Sequence, residues 1–124
     1  MTKQRIAIAN YAEIPNRLKT GRSAYDLAGE ALAALLAKSG LALGEIDGLS
    51  VTAALSEGTN PFLAAYMCEA LGLSPTWLNL SGTGGCSALS GVMSAVSAVR
   101  EGRCRIAVVL SADAPSTNYR ADFG

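Results

Sequence analysis

The chain has 124 residues, enough for one domain with a core of its own. Half of the residues are hydrophobic and 16% are charged, which excludes a disordered segment. Ten basic residues offset ten acidic ones, so the charge offers no footprint for nucleic acid or an anionic membrane.

In chain order, Arg5 to Ala9 (Arg-Ile-Ala-Ile-Ala) reads as a short first strand, followed by a loop from Asn10 to Gly21. Ser23-Ala24-Tyr25-Asp26 has the spacing of a capping box, with Asp in place of Glu. It opens a helix with an apolar stripe of Leu27, Ala28, Ala31, Leu32, Leu35 and Leu36, closed by Gly40. A turn from Leu43 to Gly48 precedes a strand over Leu49 to Ala53, and Ser56 to Asn60 is loop. Asn60-Pro61 predicts a cap with proline at the first helical position, and the helix runs to Leu71, where Gly72 and Pro75 stop it.

Thr76 to Asp113 is the densest stretch. Trp77 to Leu80 is a short apolar strand; Gly82, Gly84 and Gly85 supply permissive backbone. Cys86 stands where that turn becomes a helix. The helix carries Ala88, Leu89, Val92, Met93, Val96 and Val99 at spacings of three and four, and its remaining positions are small until Arg100. An uncharged second face predicts burial nearly all round. Ile106 to Leu110 is a Val/Ile/Leu-rich strand of the type buried on both faces. Alternating strands and helices imply an α/β sandwich around a largely parallel sheet. Ala114 to Asn118 is loop, and Tyr119 to Gly124 shows no periodicity.

Several classes of chemistry drop out. The chain has no histidine, so these residues alone perform neither Ser-His-Asp nor Cys-His catalysis and offer no His-ligated metal. No signal-peptide core follows Met1, and Pro75, Asn79 and the glycines break the uncharged run from Ala70 to Val99, which argues against a membrane span. Cys68, Cys86 and Cys104 form no C-x-x-C pair, which fits reduced thiols in a cytoplasmic protein.

Cys86 is the sharpest candidate: helix N-termini favour thiol nucleophiles through the positive end of the dipole, and the glycines before it leave room for a substrate carbonyl. Its alternative is a structural cysteine. Cys68 falls in a helical apolar pattern and reads as core; Cys104, between Arg103 and Arg105, reads as a surface thiol at a helix-to-strand turn. Gly82-Thr83-Gly84-Gly85-Cys86-Ser87 partly matches the dinucleotide fingerprint, with Asp113 as a late stand-in for the ribose-binding acid. Glu45, Asp47 and Asp113 read otherwise as turn and strand-end residues, and Arg17, Lys19 and Arg22 as a small basic loop cluster suited to a solvated loop or to a phosphate-bearing substrate.

The run from Asn79 through Gly-Gly-Cys-Ser and the small-residue helix to Val-Arg-Glu-Gly-Arg-Cys-Arg-Ile-Ala-Val-Val-Leu-Ser-Ala-Asp resembles the N-terminal part of a thiolase-superfamily protein. Within it the likeness is to the lipid-transfer-protein (sterol-carrier-protein-x) type. The resemblance implies a thiolase-like α/β/α layered half with a mostly parallel central sheet and a buried central helix, residues 1–124 being the first of two similar halves. In that superfamily the cysteine opening the buried helix carries the acyl group from coenzyme A, and two histidines and a second cysteine come from the C-terminal half. Carried over, Cys86 is the nucleophile, and Gly84, Gly85 and Ser87 lie against the substrate. The resemblance further implies a coenzyme A thioester substrate, no separate cofactor or metal, and a homodimer.

This sequence departs from the family in one respect. Counted back from Gly102, the family's nucleophile position falls on Gly85, with Cys86 one residue later. Members with Gly-Gly-Ala-Ser there lack the nucleophile and act as aldolases on acyl-CoA side chains, often beside a small OB-fold partner. One residue on a helix turns a side chain by about 100°, and a one-residue gap in the turn restores the register. Three readings therefore stand open: thiolase-type acyl transfer, retro-aldol cleavage, and a thiolase-shaped structural or lipid-carrying subunit.

Overall fold

The computed structural model describes residues 5–17, 21–58 and 60–115; Lys19 and the tail from Tyr119 to Gly124 lie outside the described residues. Helix α1 spans Ala24–Ser39. The Ser23 hydroxyl accepts from the Asp26 N–H at 3.1 Å, and the Asp26 carboxylate accepts from the Ser23 N–H at 3.1 Å, the reciprocal box that the spacing predicts. Gly40 closes the helix with φ of 75°, its N–H bonding Leu36 O. Helix α2 spans Leu63–Leu71 and begins later than the sequence suggests. Asn60 Oδ1 accepts from the Phe62 N–H at 2.9 Å, so Asn60-Pro61 build the turn before the helix, not its cap and first residue.

Three strands, β1 (Gly48–Thr52), β2 (Trp77–Ser81) and β3 (Ala107–Leu110), form a parallel sheet in the order β2-β1-β3. Central β1 is buried along Gly48 to Val51. Strand alternation divides its side chains between two unlike faces. Leu49 and Val51 belong to one apolar core with Leu63 and Met67 of α2, Ala28 and Leu32 of α1, and Val108 and Leu110 of β3. Ser50 points the other way, and there helix α3 (Ser87–Arg100) lies on the sheet. The result is three layers, α1 and α2, the sheet, then α3.

The first predicted strand is not formed. Residues 5–10 join no strand, and Ile8 is 77% exposed. A strand exists through its ladder, and the outer edges of β2 and β3 pair with no described residue.

Burial of α3 also differs from expectation. Its buried residues are Ser87, Gly91, Ala95 and Ala98, the small ones, whereas Leu89 and Met93 are 70% and 72% exposed. Close approach decides which face turns inward: a Cβ at Gly91 would lie 2.9 Å from Ser50 Oγ and 3.2 Å from Val109 Cγ1. A bulky residue on that face would lift the helix off the sheet.

Gly91→Ala is expected to cost about 1–3 kcal/mol, as overpacking in a tight interior does, seen as a lower urea midpoint. Gly85→Ala, where a Cβ meets nothing within 4 Å, is expected to change stability by no more than about 0.5 kcal/mol.

Candidate functional site

The chain leaves neighbouring strands toward opposite faces: α2 follows β1 into the apolar layer and α3 follows β2 onto the Ser50 face. In open α/β sheets the crevice at the carboxyl ends of such strands is where ligands bind. Here the chain leaves those ends at Ala53 and Gly82, which lie so close that a Cβ added to Gly82 would sit 3.5 Å from Ala53 Cβ. Gly82 through Cys86 follow the carboxyl end of β2, and all five are exposed.

The turn from β2 to α3 is built by side chains of its own. Gly84 adopts φ of 80°, a left-handed conformation that L side chains resist. Ser87 is 2% exposed; its hydroxyl accepts from the Thr83 N–H at 2.9 Å and donates to Gly84 O at 2.7 Å. Both capacities of that hydroxyl are thus spent on closing the turn, and Ser87 holds the glycines in place. A Cβ on Gly84 or Gly85 would meet nothing within 4 Å, so the approach past them is open.

Cys86 is the N-cap residue of α3 and the exposed member of the three free cysteines. Its thiol lies 3.4 Å from Thr83 O and 3.4 Å from Thr83 Oγ1. Thr83 was a mere spacer in the sequence pattern; its three-residue offset from Cys86 within a tight turn is the signal that would have found it.

The other candidates have structural duties. Asp113 Oδ2 accepts from Leu55 N–H at 2.6 Å, and Oδ1 accepts from Ser56 and Ala114 N–H at 2.9 and 2.8 Å. Both oxygens are engaged, which leaves the dinucleotide reading without its ribose-binding acid. Asp47 Oδ1 likewise accepts from Arg105 and Ile106 N–H at 2.9 and 2.8 Å, and Glu45 accepts from Ala42 N–H at 2.8 Å. Arg22 pairs with Glu30 and donates to Asp26 O at 3.2 Å. Arg17 lies apart from Cys86, in the wall of a cleft lined by the 12–17 loop and Ser111 to Pro115.

Cys68 is buried as its pattern predicts, but Cys104 is buried too, contrary to its reading as a surface thiol. Gly48 makes the room: a Cβ there would come within 2.6 Å of Cys104 Sγ. Burial pushes both thiols above their ordinary value, and for Cys104 the Asp47 carboxylate adds to the rise. Burial, reinforced by the hydrogen bond that the Tyr25 hydroxyl donates to the Glu57 carboxylate, carries Tyr25 from 10.0 to about 12.

No family model matches the chain, and no curated protein does. Among solved structures it superposes on AbyA1, a tetronic acid condensing enzyme, with a TM-score of 0.67 and 22% sequence identity. The chain has a thiolase-like fold. The match covers 87% of this chain but 36% of AbyA1, so the thiolase-like chain spans about a third of that neighbour's length. Among the described residues no helix is long and apolar enough to cross a membrane.

In the native protein one thiol, lost in Cys86→Ala, is expected to react rapidly with a disulfide reagent, and all three in denaturant; fast labelling of two would refute the burial of Cys68 or Cys104. Because folding raises the values of Cys68, Cys104 and Tyr25, the folded state holds their protons more tightly than the unfolded one. Their stabilisation is complete below the ordinary values and is lost as pH rises through the raised ones. Urea midpoints are therefore expected to fall above about pH 9 for the thiols and above about pH 10 for Tyr25.

Proposed function

We propose that this chain is part of an enzyme that makes or breaks carbon–carbon bonds in acyl thioesters, with Cys86 as its nucleophile. One observation carries the reading: the exposed thiol stands at the N-cap of α3, beyond the carboxyl ends of β1 and β2, the side of the sheet on which this topology holds ligands. AbyA1 is a tetronic acid condensing enzyme, and the shared fold supports related chemistry by analogy.

In the forward acyl transfer, Cys86 Sγ attacks the thioester carbonyl as its proton passes to a base. The carbon–sulfur bond to coenzyme A breaks, and the released thiolate takes up a proton. The acyl group then rests on Cys86 until a base takes an α-proton from a second thioester. The resulting α-carbanion attacks the acyl carbonyl, the new carbon–carbon bond forms as the acyl–sulfur bond breaks, and the freed Cys86 thiolate is reprotonated. Gly84 and Gly85 leave space for the thioester, Ser87 keeps their turn closed, and Thr83 holds the thiol. With no histidine in the chain, acid and base come from outside these residues. A second half of like fold and a second copy of the chain are part of the same proposal, as are a cytoplasmic setting and the lipid-transfer type of substrate.

The displaced register favours a second reading, in which Gly85 occupies the nucleophile position, Cys86 is a bystander, and the full protein is a retro-aldolase acting on acyl-CoA side chains beside a small OB-fold partner. A non-catalytic lipid-carrying subunit is the third.

The deciding experiment is the intact mass of the full-length protein after exposure to acetyl-CoA and to acetoacetyl-CoA, beside Cys86→Ala. The thiolase reading expects an acyl adduct on the wild type alone, and turnover that falls about a thousandfold or more in the variant. No adduct, with retro-aldol activity equal in both proteins, would replace it with the aldolase. No adduct and no turnover would leave the carrier.

A further inference from the structure

We draw no further inference here: the strongest candidate, the cleft of about 790 Å³ between the 12–17 loop, α1 and the Ser111–Pro115 segment, has its Asp113 oxygens and Arg22 guanidinium already engaged within the fold, and nothing in the structure shows what occupies it.

Discussion

The closeness with which α3 lies on the sheet governs the rest of the structure. At Gly91 the helix leaves no room for even one methyl group beside Ser50 Oγ. The sheet face beneath it is small and polar to match: Asn79 Nδ2 donates to Ser50 Oγ at 3.0 Å and to Ser81 Oγ at 3.1 Å. Hydroxyls buried under a helix are costly unless paired, and the Asn79 amide pairs both. The opposite face, filled by Leu49, Val51, Val108 and Leu110, supplies the bulk apolar burial. One face therefore stabilises the domain through area removed from water, and the other sets a distance.

That distance matters because it fixes where the N-terminus of α3 emerges. Two aspartates hold the sheet at its ends. Asp47 ties the start of β1 to the residues entering β3, with Thr76 hydrogen-bonded to the carbonyls of both Asp47 and Arg103. Asp113, just beyond β3, gathers the backbone that follows β1. Between those ends the β2 strand delivers a turn that Ser87 latches from inside. Cys86 is displayed because its neighbours on both sides are fixed, and its own side chain takes no part in that scaffolding beyond its contact with Thr83.

The outward face of α3 has the reverse chemistry of an ordinary surface helix. Large apolar side chains, Leu89 and Met93, face away from the sheet while glycine, serine and alanine face in. A surface helix keeps its large apolar residues inward and charge outward. Under the function proposed above, this outer face and the strand edges that no described residue pairs are the surfaces that a second half and a second copy would cover.

Local signals in the sequence determined much of this. The Ser23–Asp26 box and Gly40 bounded α1, Gly72 ended α2, and the glycine turn placed Cys86 at the start of α3, because caps and left-handed turns depend on a few neighbouring residues. The α/β class followed from alternating patterns, and the resemblance pointed to the thiolase-like fold that the superposition shows. Long-range matters were decided only in three dimensions. Arg5 to Ala9 looked like a strand, yet a strand requires a partner edge that periodicity does not name. Apolar spacing on α3 marked a stripe but not its direction, which the Gly91–Ser50 approach settled. Cys104 appeared exposed between two arginines, and only the pairing of Gly48 with Ala107 reveals the space that buries it. Side-chain volume across strands, not local propensity, made those choices.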